Sequence, residues 1–161
     1  DFKTAASPNG RYSVNMSGTL VLKYDRQFGA LEGFRSNLGL FLNDQVIQKW
    51  RHRISFGYDR GALSATLSNQ YSSSYTDHNT AYDPVTNKLL PERRVKAYSL
   101  WDMTASYAVN KQIKLRAGVL NLFDTDPPYS NQAHYFLAGY DPSYTDPRGR
   151  SAFASVNYSF K

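Results

Sequence analysis

Six runs of this chain alternate residue by residue, and each is long. From Tyr12 to Tyr24 the even positions carry Tyr12, Val14, Met16, Gly18, Leu20, Leu22 and Tyr24, against Ser13, Asn15, Ser17, Thr19, Val21 and Lys23. From Trp50 to Tyr58 the even set is Trp50, His52, Ile54, Phe56 and Tyr58, against Arg51, Arg53, Ser55 and Gly57. Leu63 to Tyr75, Ala97 to Val109, Ile113 to Asn121 and Ser151 to Phe160 repeat the pattern, with Leu100, Leu120 and Phe153 out of phase. A period of two is the mark of a strand with unlike faces. Runs of about nine to thirteen residues exceed the five or six of an average soluble strand and match a tilted strand crossing a bilayer. Aromatics stand near the ends of the apolar sets: Trp50 and Tyr58, Trp101 and Tyr107, Tyr12 and Tyr24. Rings at both ends of an apolar strip are the interfacial girdle of a membrane barrel.

The connections alternate too. Pairing Tyr58 with Leu63 leaves a turn at Asp59-Arg60-Gly61-Ala62, and pairing Val109 with Ile113 leaves Asn110-Lys111-Gln112. Residues 27–49, 76–96 and 123–150 are long and polar. Short turns on one side and long loops on the other are the layout of an outer-membrane barrel. The fold class expected is therefore all-β, an antiparallel transmembrane β-barrel. Six strands cannot close one, because closed barrels start at about eight and an open edge in lipid is not viable. Gly33 to Asn43, with Leu38, Leu40 and Leu42 alternating, offers at most one more. Residues 1–161 are thus expected to be the C-terminal segment of a larger barrel.

Composition narrows the alternatives. No stretch approaches the roughly 18 apolar residues of a spanning helix. The net charge of +6 comes from scattered basic residues, with no run longer than Arg93-Arg94. A nucleic-acid partner is not expected, since such proteins cluster their basic residues on one face. With no cysteine, the chain carries neither a disulfide framework nor thiolate metal ligands. Asp1-Phe2-Lys3-Thr4 lacks the apolar core of a signal peptide, so an exported protein would present this chain as a mature or truncated product.

Several blocks resemble a known family. Asn121-Leu122-Phe123-Asp124-Thr125-Asp126-Pro127-Pro128-Tyr129, then Gly139-Tyr140-Asp141-Pro142, Asp146-Pro147-Arg148-Gly149-Arg150 and the closing strand are similar to the C-terminus of TonB-dependent outer-membrane receptors. Trp50-Arg51-His52-Arg53 and Tyr98-Ser99-Leu100-Trp101-Asp102 resemble strand openings of the same family. The resemblance implies a barrel of about 22 strands around a plug domain. The plug, the TonB-contacting segment and about sixteen strands would then lie outside residues 1–161. It also implies a multi-pass protein of a Gram-negative outer membrane, with lipid, the rest of the barrel and the TonB complex as partners. Its work would be uptake of a scarce nutrient: a ferric siderophore, haem, cobalamin or an oligosaccharide. The family usually ends on an aromatic, so Phe160, one residue before Lys161, takes the part in barrel assembly.

Candidate residues follow from the phase. Arg51, Arg53, Asp102, Lys114 and Arg116, with Lys23, fall on the lumen side, and the basic ones are read as charges on a wet wall paired with plug carboxylates in preference to a substrate anion. Tyr75, Tyr82, Tyr129, Tyr135 and Tyr140 are candidate ligand-stacking rings of the outer loops, although loop rings also pack loop on loop. Phe136 and Tyr144 belong to the same group. His52 reads as an interfacial polar residue, and His78 and His134 as solvated loop histidines; no metal site or cofactor is expected. An enzyme is not expected: Ser72 to Ser74 beside Asp77-His78 form a nucleophile set by composition only. The alternatives to a receptor fragment are a small complete eight-stranded pore or adhesion barrel and an outer-membrane hydrolase.

Overall fold

The structure is a computed structural model that describes residues 1–27, 29–42, 45–77, 83–88, 92–130 and 139–160. Thirteen strands and no helix occur among the described residues. They are β1 (Phe2–Lys3), β2 (Arg11–Leu20), β3 (Asp25–Arg26), β4 (Arg35–Ser36), β5 (Phe41–Leu42), β6 (Gln45–Val46) and β7 (Trp50–Arg60). They continue as β8 (Leu63–Ser72), β9 (Tyr75–Asp77), β10 (Arg93–Val95), β11 (Tyr98–Ala108), β12 (Ile113–Leu120) and β13 (Ser151–Tyr158).

One antiparallel sheet in the order β1-β2-β7-β8-β11-β12-β13 holds the six long strands. Its register puts like residues side by side. Val14, Phe56, Leu67, Met103, Val119 and Ala152 form one unbroken apolar row across all six. Because side chains alternate, this row and its neighbours two residues away share a face. That outward face leaves Tyr12, Met16, Leu20, Phe56, Met103, Tyr107, Leu115, Val156 and Tyr158 exposed. So much contiguous apolar surface is not stable in water and calls for lipid. The inner face carries Ser, Thr, Gln, Lys and Arg at the alternate positions.

The residues that break the alternation have local reasons. Phe153 lies opposite Gly118 on the inner face, and a Cβ at Gly118 would sit 2.6 Å from its ring and 2.9 Å from the Met103 carbonyl. Phe153 therefore covers a bare stretch of backbone, the usual service of an aromatic beside a sheet glycine. Arg116 reaches over the same ring, 5.5 Å from its centroid. On the outward face His52 accepts the Trp50 indole N–H at Nδ1 (2.8 Å), meets Asn69 Oδ1 through Nε2 (3.2 Å) and stacks on Tyr71. Asn69 in turn donates to Ser99 Oγ and the Leu100 carbonyl. This chain of polar groups satisfies itself, as polar groups near lipid must.

Two expectations of register and extent need correction. Tyr58 pairs with Ala65, not Leu63, and Arg60 faces Leu63, so the β7–β8 turn is Gly61-Ala62 alone. The slip is two residues, which keeps every side chain on its face. Gly61 takes φ +56° while Ala62 stays negative, the pattern of a two-residue II′ hairpin turn. The Val109–Ile113 pairing is observed, with Val109 N donating to Ile113 O at 3.0 Å. The run from Gly33 to Asn43 forms no long strand: it divides into β4 and β5, with Gly39 at φ +68° between them. The expected run to Tyr24 stops at Leu20, and Lys23 ion-pairs with Asp25 (3.1 Å) in the loop beyond.

The run from Leu63 to Tyr75 also stops early, at Ser72. The Ser73 hydroxyl takes the Trp50 N–H (3.2 Å), a side chain competing with the ladder. Beyond it β9 pairs with β10, the small hairpin β5–β6 stands beside β9, and β3–β4 forms a further small hairpin in the same long loop as β5–β6. Thr76 N donates to Gly39 O, tying the 33–48 segment to β9. The buried core lies here, in Phe41, Tyr75 and Val95, with Val46 and Tyr144 against them.

Candidate functional site

The inner face near the long-loop rim presents two adjacent rows. Ser17, Arg53, Gln70 and Leu100 form one; Thr19, Arg51, Ser72 and Tyr98 form the next. Both arginines come from β7, at i and i+2, which is why they point the same way. Ser143 and Tyr144 of the loop before β13 border these rows, and together they line an open cavity of about 450 Å³. Arg51 and Arg53 are exposed to it and make no ion pair among the described residues. The cavity thus has a cationic floor and an aromatic wall.

The wall is built from distant segments. Tyr144 meets Tyr75 and Tyr98 edge-on, with centroids 6.2 and 6.3 Å apart. The Tyr98 hydroxyl donates to the Asp146 carbonyl (3.1 Å). Arg148 clamps the Asp146 carboxylate with Nε at 2.9 Å and Nη2 at 2.6 Å, holding that carboxyl below the usual range. Asp141, 1% exposed, fixes the turn by accepting from Ser143 N at its carboxylate and from the Thr145 hydroxyl at its carbonyl. Tyr75 donates to Ser130 Oγ (3.3 Å), which donates to the buried Asp77 (3.1 Å). Burial raises the Tyr75 hydroxyl above the ordinary phenol value and the Tyr144 hydroxyl well above it, so both stay neutral. The Tyr144 hydroxyl is buried without a hydrogen-bond partner among the described residues.

The residues singled out from the sequence divide among several places. Arg51 and Arg53 line the cavity. Lys114 and Arg116 share their face but sit near the short Asn110–Gln112 turn, at the other end of the sheet. Asp102 accepts the Asn121 N–H (2.9 Å), so its carboxylate closes a strand end. Tyr75 is 2% exposed, packed inside the loop core, and presents no ring to a ligand. Tyr129 is half exposed beneath the Arg93 guanidinium, and Tyr140 is half-buried beside the Asp141 turn. Tyr82 and Tyr135, with His78, His134 and Phe136, lie outside the described residues. Phe160 is exposed and packs edge-on against Tyr158, 4.7 Å between centroids. Ser74 Oγ accepts twice from Arg94, and Ser73 Oγ is held by Trp50 N. Tyr98 and Tyr144 complete the cavity. Tyr98 stood in the strand-opening block, but only its even phase marked it for the lumen.

The Asn121-Leu122-Phe123-Asp124 block is a built turn. Asn121 and Asp124 adopt φ +52° and +55°, and the Asn121 side chain both donates to Thr125 O and accepts from Thr125 N. Asp124 accepts from Arg150 N (2.7 Å), joining the start of the loop to the start of β13. The block therefore shapes the loop that borders the cavity.

The family model described as TonB dependent receptor-like, beta-barrel matches residues 5–122, most of the chain. The chain belongs to that family of receptor β-barrels. The matched stretch runs from before β2 to the end of β12, and the receptor resemblance read from the sequence agrees with it. Among solved structures, a mutant of the ferric enterobactin receptor PfeA from Pseudomonas aeruginosa is similar at 18% identity with a TM-score of 0.59. The copper transporter OprC is similar at 16% identity with a TM-score of 0.50. Each alignment covers 98% of this chain but only 21% and 22% of the other, so this receptor barrel segment spans about a fifth of those chains. Likeness at such identity speaks for the barrel fold. No curated protein sequence matches the chain.

Proposed function

We propose that residues 1–161 are the C-terminal part of a TonB-dependent outer-membrane transporter that binds a scarce nutrient from outside and imports it. The supporting observation is the open cavity on the inner face, bordered by Tyr98 and Tyr144, with two arginines that make no ion pair among the described residues. Two cations at i and i+2 favour an anionic metal chelate over a neutral oligosaccharide, since charge-assisted hydrogen bonds are the strong ones. Of the similar solved proteins, the ferric enterobactin receptor fits that class. Lys114 and Arg116, far from the cavity on the same wall, suit carboxylates of a plug filling the lumen. The remaining strands, the plug and the segment that engages TonB belong to other parts of the same receptor. Its place is the outer membrane of a Gram-negative cell, and it is a carrier, not an enzyme.

The test is uptake of radioiron as a ferric tris-catecholate, a trianion, by cells carrying the complete receptor. Arg51→Gln with Arg53→Gln should weaken uptake roughly 10- to 100-fold, from about 1.5–3 kcal/mol of lost charged hydrogen bonding. Lys114→Gln should leave chelate binding to the closed receptor unchanged. Full uptake by the double variant would refute the chelate reading.

A further inference from the structure

A second cleft lies on the loop side, apart from the cavity over Arg51 and Arg53. Its volume is about 390 Å³, and its walls are Arg93 to Tyr98 on one side and Thr125 to Tyr129 on the other. Three of the four residues Arg93-Arg94-Val95-Lys96 are cationic, and all three cations are exposed. None of them makes an ion pair among the described residues; Asp126 is the carboxylate in the lining. So many like charges repel, and a protein that gathers them usually does so for an anion.

The two arginines are also held in place. Val95, 1% exposed, anchors β10 in the loop core, and β10 pairs with β9 through Arg93–Asp77, Arg94–Thr76 and Val95–Tyr75. The Arg93 guanidinium lies over the Tyr129 ring, 4.3 Å from its centroid. Arg94 donates from Nε and Nη2 to Ser74 Oγ at 3.2 and 2.7 Å, which fixes its plane. The opposite wall carries Pro127 and Pro128, whose fixed φ stiffens it. A site with its donors already ordered loses less entropy on binding.

We propose that Arg93, Arg94 and Lys96, with Tyr129 and the prolines, form a binding site for a phosphate group borne on a sugar. Guanidinium groups match phosphate oxygens bidentately and the lysine adds a point charge. A phosphate monoester brings up to two negative charges, enough to offset the excess left after Asp126. The ring and prolines offer an apolar wall for the sugar, and the cleft volume suits a monosaccharide phosphate. Two sources supply this chemistry: the headgroup of a phosphorylated glycolipid in the surrounding leaflet, or a soluble sugar phosphate. The site is independent of the import reading and of Arg51 and Arg53.

The experiment uses the complete receptor, purified in detergent and, separately, in nanodiscs. Glucosamine 1-phosphate is titrated calorimetrically in the first arm. In the second, the receptor is reconstituted with lipid A or with its dephosphorylated form, and ³¹P line broadening is read. The proposal expects phosphate-dependent binding in at least one arm. Binding in the first alone assigns a soluble ester, in the second alone a glycolipid, in both a site indifferent to the source. Lys96→Gln should weaken binding about 10-fold, and Arg94→Gln with Lys96→Gln about 100-fold. Lys96 is exposed and makes no ion pair among the described residues, so its variant keeps the measurement decisive if the double variant fails to assemble. Absence of binding in both arms, or unchanged affinity in Lys96→Gln, overturns the proposal.

Discussion

Leu67→Arg isolates the meaning of the two faces. Leu67 lies in the apolar row between Phe56 and Met103, four residues along β8 from Leu63 at the Gly61-Ala62 turn. At about 3.4 Å per residue and a tilt near 45°, that is roughly 10 Å along the membrane normal. The apolar band of such a barrel is about 25 Å tall, so Leu67 sits within a few ångström of its middle. An arginine there costs about 2–4 kcal/mol, a factor of roughly 30 to 800 in the folding equilibrium. Thr66→Arg is the matched control. Thr66 is the adjacent residue, on the inner face between Gly57 and Thr104, where an arginine meets the polar lumen side and not lipid. Its cost should stay within about 0.5 kcal/mol. The assay is urea unfolding of the complete receptor in lipid vesicles, followed by tryptophan fluorescence. Equal destabilisation by the two variants would refute the assignment of faces.

Three further outcomes follow from local geometry. Gly118→Val should cost about 1–3 kcal/mol of barrel stability, because the new Cβ meets the Phe153 ring and the Met103 carbonyl; Phe153→Ala in the same chain should recover only part, since the carbonyl does not move. Asn121→Ala should lower stability by about 2 kcal/mol through two lost hydrogen bonds and a strained φ, whereas Asn121→Gly keeps the φ and should recover some of that, read by thermal unfolding. Residues 1–161 contain no cysteine, so in a complete receptor cleared of cysteine elsewhere single cysteines report sidedness. An impermeant maleimide on whole cells should label a cysteine at Asn87 and miss those at Gly61 and Lys111; labelling of Gly61 inverts the topology.

The strands were legible because their chemistry is periodic. Lipid on one face and water on the other write themselves into alternate residues, so faces and strand order follow from β2, β7, β8, β11, β12 and β13 directly. The β7–β8 register was not legible. A shift of two residues keeps every side chain on its face, so Tyr58 against Leu63 and Tyr58 against Ala65 look alike to a period of two. The turn decides, and it turns on Gly61 accepting a positive φ. The site was only half legible. Arg51 and Arg53 stand out as charges in a strand, but the aromatic wall beside them joins Tyr75, Tyr98 and Tyr144, and no local pattern links residues so far apart. Tyr75 misled for the same reason: its alternation belongs to β8, while Ser73 ends that ladder and sends the ring into the loop core.

The central claim is that this sheet is one arc of a larger barrel. Its edges are β1, which covers β2 only at Phe2–Val14 and Lys3–Ser13, and β13, paired on one side by β12. In lipid each unpaired backbone group costs several kcal/mol, so two such edges cannot be sustained together. The direct measurement is to refold residues 1–161 alone into detergent and vesicles and compare gel mobility before and after boiling. The account predicts no heat-modifiable species and aggregation or an unfolded chain, with assembly recovered when the rest of the receptor is supplied. A stable, monomeric, membrane-inserted protein of 161 residues that shifts on boiling would contradict it.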